Sequence, residues 1–266
     1  MSAALLPAGV QVWHIPQRGQ DVAAQTSLLA PQELVHLGAL TDTATRDRHV
    51  LSRAALRVLL SRWVPAVAPQ QWQLSRAAHG RPELAGPVAA GRISFNIAHT
   101  DDEILLALCA EGRVGVDVEA RERPSDALAL ARRYFRDEEV AALEALPAPL
   151  RQQRFLELWT LKEARVKATG EGLSRGLRRV GFALDEASGI ALLPNVREEG
   201  DAWQFWQWSL AGTHLVALAL QGQGEKVGVQ WGRLLNLQPV EMDAPQLLRT
   251  SAADQARMYS STNLEP

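Results

Sequence analysis

Between residues 93 and 120 the chain carries two short segments of alternating apolar and polar residues, ISFNIAH and VGVDVEA, with the wholly apolar ILLALCA between them, parted by two turns. A period of two over such short lengths marks extended strands, so this stretch demands a sheet. In the first segment Ile93, Phe95, Ile97 and His99 share one strand face. In the third, Val114, Val116 and Val118 fall on one side, with Asp117 and Glu119 on the other. An earlier strand is expected at VQVWH (10–14), and later ones at VGFAL, WQFWQWSL and HLVALAL.

Helical spacing surrounds these strands. TRDRHVLSRAALRVLLSRW, Thr45 to Trp63, places Val50, Ala54 and Val58 beside Leu51, Ala55 and Leu59 and stops before Pro65. Helical patterns also run from Asp126 to Leu146 and from Pro149 to Thr169, where Gly170 suits the left-handed residue just past a helix end. Helix then strands, followed by helices then strands, predicts an α+β chain in two α/β halves. The expected division is 1–113, 114–240 and a polar, mobile tail at 241–266.

Composition closes off several classes of function. No apolar run approaches the roughly 20 residues of a membrane-crossing helix, and the opening MSAALLPAGVQVWHIP lacks the basic start of a secretory signal. Cys109 is the only cysteine, which fits a reducing cytoplasm and excludes an internal disulfide framework. A formal charge of -2 gives no field that would draw nucleic acid.

The residues that carry chemistry stand out against this frame. Asp117 and Glu119 are two carboxylates about 7 Å apart on one strand face, an arrangement that suits a solvated edge or half of a site for a hard cation. In FLELWTLKEARVK, Phe155, Leu158, Trp159 and Val166 form an apolar stripe, and Lys162 and Glu163 occupy the positions that would complete it. Glu163 and Lys167 are spaced as a surface ion pair. A buried Lys162, in contrast, needs an anion nearby, because an unpaired internal ammonium costs several kcal/mol. Arg46, Arg48, Arg53 and Arg57 crowd one helix, Arg81 sits in the turn-rich HGRPEL, and His99 ends its strand. The aromatic run WQFWQWSL suits a core, or an apolar pad for a ligand or partner helix.

Four segments in this order, GRP (80–82), FNIAHT (95–100), VGVDVE (114–119) and WTLKEARVKATGEGL (159–173), closely resemble the signatures of the Sfp-type 4′-phosphopantetheinyl transferases. The similarity runs from about Val10 to Val240, and DRHVLSRAALR looks like the family's coenzyme A 3′-phosphate region. The resemblance implies a pseudo-symmetric pair of α/β subdomains that bind coenzyme A and Mg²⁺, or Mn²⁺, at their junction. The N-terminal half would bind coenzyme A and the C-terminal half would carry the metal and the catalytic helix. The implied reaction transfers phosphopantetheine from coenzyme A, as co-substrate, to a serine of an apo acyl or peptidyl carrier protein.

By the same resemblance, Asp117, Glu119 and Glu163 are metal ligands, and Glu163 also serves as base. Lys162 and Lys167 are the motif lysines, expected with Glu163 to be catalytic, with Lys167 on the pyrophosphate. Arg81 and His99 match phosphate contacts, and Arg48, His49 and Arg53 fall in the 3′-phosphate region. A cytoplasmic monomer is expected, without nucleic-acid or membrane partners. Ala98 and Thr100 stand where FNISHS is the commoner form, which removes a side-chain hydroxyl at 98. Two alternatives stay open: another Mg²⁺-dependent phosphoryl transfer, such as nucleotide hydrolysis, and a catalytically silent module that binds coenzyme A or a carrier protein.

Overall fold

The computed structural model describes residues 7–76, 80–86, 93–123, 125–185, 189–193, 202–222 and 227–251. His79 of the HGRPEL turn and the last part of the expected tail, 252–266, lie outside the described residues. The first half contains β1 (Val10–Pro16), three helices, α1 (Val22–Gln25), α2 (Pro31–Ala39) and α3 (Thr43–Trp63), and four further strands. Those strands are β2 (Gln73–Arg76), β3 (Pro82–Ala85), β4 (Ser94–His99) and β5 (Glu103–Cys109). Then come β6 (Arg113–Ala120), α4 (Ala127–Tyr134), α5 (Asp137–Glu144), α6 (Ala148–Thr169) and α7 (Leu173–Arg179). The remainder is β7 (Phe182–Asp185), β8 (Gly189–Leu192), β9 (Ala202–Leu210), β10 (His214–Gly222), β11 (Val229–Leu235), β12 (Gln238–Val240) and β13 (Gln246–Thr250).

Two larger sheets carry the mixed α+β fold, in the orders β12-β11-β1-β5-β4 and β13-β9-β10-β6. Their inner faces meet: Val10, Val12, Leu105 and Ala107 of the first pack with Val114, Val116, Val118, Trp206 and Trp208 of the second. On the outer face of the first sheet, α3 lays Leu51, Ala55 and Leu59 against Ile104, Leu106 and Leu108. On the outer face of the second, α6 lays Phe155, Leu158, Leu161 and Ala164 against Phe205, Leu215 and Ala217. Each half is therefore one long helix on one largely antiparallel sheet. Edge strands β4 and β6 run alongside each other, joined by side chains: the Val114 N–H donates to Ser94 Oγ at 3.2 Å and the Val116 N–H to Asn96 Oδ1 at 2.9 Å.

The chain moves between sheets at Gly112. Its φ is +88°, and a Cβ there would stand 2.2 Å from the Gln221 carbonyl oxygen, so only glycine makes this turn. The third segment thus joins the second sheet, although it follows directly on β5. Two departures from the expected division follow from pairing between the chain's ends. β11 and β12, inside 114–240, return to the first sheet, where β11 runs parallel to β1 in the register Val10↔Val229. Beyond 240, the segment expected to be mobile supplies β13, which pairs with β9 across a bulge between Leu247 and Arg249. Arg249 anchors it, reaching the buried Glu157 of α6 at 3.3 Å and donating to Gln207 Oε1 at 3.0 Å.

The helical pattern at 126–146 is two helices, because Phe135 and Arg136 are extended between α4 and α5. The aromatic strand is core: Phe205, Trp206 and Trp208 are all buried, Phe205 under α6 and the two tryptophans between the sheets. Among the described residues no helix is long and apolar enough to cross a membrane.

Candidate active site

The site starts from an absence of side chain. A Cβ on Gly115 would lie 2.0 Å from the Ala164 carbonyl oxygen and 2.5 Å from the Ala168 nitrogen, so α6 rests its backbone directly on β6. The glycine of VGVDVE is there to permit that contact. Two residues further along the same strand face, Asp117 comes under the last turns of the helix.

There Lys167 Nζ stands 2.5 Å from Asp117 Oδ1 and 3.4 Å from Glu163 Oε2. Asp117 is buried, and its Oδ2 has no hydrogen-bond partner. Burial pushes its carboxyl well above the ordinary range, the Lys167 ammonium pulls it down, and Glu163 and Glu119 push it up again. Burial also works against the Lys167 ammonium, but the attraction of Asp117 and Glu163 outweighs it and raises the pKa. Glu119, at the rim, is ion-paired with Arg123. That arginine escaped the sequence reading, since nothing beyond its spacing from Glu119 marks it.

Lys162 is not part of this group. Its side chain is fully buried, with Nζ 2.6 Å from Glu139 Oε2, and it donates to the carbonyls of Leu177 and Val180 at 2.9 and 2.5 Å. The ammonium also sits 4.7 Å from the centre of the Phe135 ring. Burial lowers its pKa to about 8 against the pull of Glu139. The anion that its burial required is thus a glutamate of α5 rather than a phosphate. Glu139 in turn accepts from the backbone N–H groups of Arg136 and Phe182 at 3.0 and 2.9 Å, so the pair clamps α5, α6 and the start of β7 together. Adjacent residues on one helix have parted: Lys162 faces α5 and α7, and Glu163 faces β6.

The first half contributes His99 and Arg48. His99 continues the Phe95–Ile97 face of β4 toward α3 and is exposed at the strand end. Its pKa is lowered by partial burial and then by the positive charges of Arg48 and Lys167. Arg48 donates to the Thr100 carbonyl at 3.2 Å.

His49 and Arg53 face elsewhere, against α2. His49 packs edge-on to His36 with ring centroids 5.0 Å apart, and burial, with Arg53 and His36 adding to it, lowers its pKa to about 4. Arg53 lies 3.9 Å and Arg57 2.8 Å from Glu33. Arg81 is also committed to structure. It donates to the Ala168 carbonyl at the end of α6, and more distantly, at 3.4 Å each, to Ser94 Oγ, the Phe95 carbonyl and the Val114 carbonyl. This stitches β4, β6 and α6 at the seam.

The donor set suits a hard cation in kind, because it consists of carboxylate oxygens and one of them, Asp117 Oδ2, is unclaimed. Among the described residues, however, no three acidic, histidine or cysteine side chains already form a cation-sized cluster. Lys167 supplies the positive charge at that place.

With the geometry in view, comparison with known proteins places the chain. Residues 113–219 match the family model of the 4′-phosphopantetheinyl transferase superfamily. A putative 4′-phosphopantetheinyl transferase of Synechocystis is 37% identical over 172 residues, 64% of this chain and 68% of the relative. The 4′-phosphopantetheinyl transferase HetI of Nostoc is 29% identical over 225 residues, 83% of this chain and 91% of that protein. AcpT of Salmonella typhimurium, with the same activity in its name, is 33% identical over 151 residues, 57% of this chain and 74% of that protein. The chain belongs to the 4′-phosphopantetheinyl transferase superfamily.

Proposed function

We propose that the protein transfers 4′-phosphopantetheine from coenzyme A to a serine hydroxyl of an apo acyl or peptidyl carrier protein, with Mg²⁺, and releases adenosine 3′,5′-bisphosphate. The observation that carries this reading is the meeting of Asp117, Glu163 and Lys167 at the seam where β6 runs beside β4, the strand that ends in His99.

Breaking a phosphoanhydride builds negative charge on the bridging and leaving oxygens, so catalysis is mainly positioning and charge neutralisation. In this reading Lys167 and His99 bind the diphosphate between them, and Arg48 holds the nucleotide end. Glu163 accepts the serine proton, directly or through water, as the hydroxyl oxygen attacks phosphorus. Asp117, Glu119 and Glu163 would hold the metal, which supplies Lewis-acid stabilisation of the transferring group. The reading extends to a cytoplasmic monomer, in keeping with the single, buried cysteine.

The test is mass spectrometry of an apo carrier protein incubated with coenzyme A and Mg²⁺. The expected result is a gain of one phosphopantetheine that disappears with a chelator. Loss of nucleotide phosphate with no gain on the carrier would point to hydrolysis instead.

A further inference from the structure

Lys167 stands between two of the acids that would hold a metal. Its Nζ bridges Asp117 and Glu163, the acids contributed by two separate elements, while Arg123 takes Glu119. All three carboxylates face a cation of the chain itself, and no ready cation cluster is left among the described residues. A dication entering beside Asp117 with the ammonium still in place would meet a like charge only a few ångströms away, in a partly desolvated setting where such repulsion is strong. The lysine must therefore leave before the metal can be held tightly. It is able to do so: its side chain is 26% exposed, whereas that of Asp117 is 4% exposed. What it needs is another anion to receive it. Leaving for water alone would abandon a 2.5 Å ion pair to a buried carboxylate whose second oxygen already lacks a partner.

Resting on the reading above, in which a diphosphate binds between Lys167 and His99, we infer that Lys167 is a resident cation that makes metal binding depend on coenzyme A. In the free protein it neutralises Asp117 and Glu163 and keeps the metal weakly bound. The coenzyme A diphosphate draws the ammonium across the seam and frees the acids, and the metal then binds. The order is coenzyme A first, metal second. By linkage the effect is reciprocal, so Mg²⁺ tightens coenzyme A by the same factor by which coenzyme A tightens Mg²⁺. Lys167 thus serves both as the guard of the metal site and as a ligand of the substrate.

Calorimetric titration of Mg²⁺ into the wild-type protein, with and without coenzyme A, reads this directly. Coenzyme A should tighten Mg²⁺ by about tenfold or more. In Lys167→Met, Mg²⁺ should bind the free protein about tenfold more tightly than it binds the wild type, and the enhancement by coenzyme A should shrink. Lys167→Arg, which keeps the charge, should retain the weak affinity of the wild type. Equal Mg²⁺ affinity in free wild type and free Lys167→Met would overturn the inference while leaving the transferase reading intact, provided that coenzyme A binds and the carrier is modified. Failure of coenzyme A to bind the wild type at all would overturn both.

Should Lys167→Met fail to fold, the wild type still decides the matter, because its only lysines are Lys162, Lys167 and Lys226. In the spectrum of isotope-labelled lysine, the Lys167 ammonium signal should move when coenzyme A is added and stay in place with Mg²⁺ alone. A signal indifferent to coenzyme A refutes the switch.

Discussion

The two halves share a plan, a long helix on the outer face of a sheet, but they bring their helices to the seam differently. In the second half α6 lies on β6 with backbone against backbone at Gly115, and Asp117, Glu163 and Lys167 meet at distances from 2.5 to 3.4 Å. In the first half α3 stands off its sheet on Leu51, Ala55 and Leu59, and it reaches the seam with the long side chain of Arg48 toward the end of β4. Close contact leaves little tolerance in position, whereas a long side chain adapts. On the proposed function the second half would carry the reacting atoms, where an error of about 1 Å is costly, and the first would hold the substrate.

Gly115 should show the greatest sensitivity. Gly115→Ala drives a methyl group into the α6 backbone and is expected to cost about 3 kcal/mol or more, with transfer activity lost along with the helix–strand contact. Thermal unfolding together with the transfer assay checks this, and a stable, active Gly115→Ala would break the contrast at its root.

Next comes the clamp beneath the site. Lys162→Met should destabilise the protein by about 3–5 kcal/mol, because it leaves Glu139 buried and unpaired. Lys162→Met combined with Glu139→Leu should recover much of that loss. If Lys162 instead contacted substrate, the double variant would regain stability without regaining turnover.

On the first half the expected effects are smaller and fall on affinity. Arg48→Ala should weaken coenzyme A by about tenfold, a little over 1 kcal/mol, with kcat nearly unchanged, while His49→Gln should leave coenzyme A affinity where it was. His49 should register in stability against pH. Its folded pKa is about 4 against an ordinary 6.5, so between those values the unfolded chain binds more protons and stability falls as the pH is lowered through the window. His49→Gln should flatten that part of the profile. Unchanged acid sensitivity, or a coenzyme A defect equal to that of Arg48→Ala, would return His49 to the binding site.

The same contrast explains what could be read from the sequence. Asp117 and Glu119 could be assigned a face because a strand alternates strictly, and Glu163 and Lys167 because one helical turn brings them together. Lys162 and Glu163 could not be separated on a wheel, since neighbouring helix positions differ by only about 100° and α6 is buried on both flanks, under α5 and α7 as well as on β6. Arg48 and His49 posed the same problem, and α2, which claims His49 and Arg53, gives no sign of doing so in its sequence. The return of β11 to β1 and the pairing of β13 with β9 join distant parts of the chain, which no local pattern announces. The partner of Lys162 was hidden among the three acids that open α5, where Glu139 reads as an ordinary first-turn residue.

The measurement closest to the central claim is the rate of carrier-protein modification by Glu163→Gln at saturating coenzyme A and Mg²⁺, with coenzyme A affinity measured on the same preparation. Convergence of Asp117, Glu163 and Lys167 on the transferring group predicts a kcat lower by about a hundredfold or more while coenzyme A still binds. A variant that modifies its carrier at the wild-type rate would contradict it.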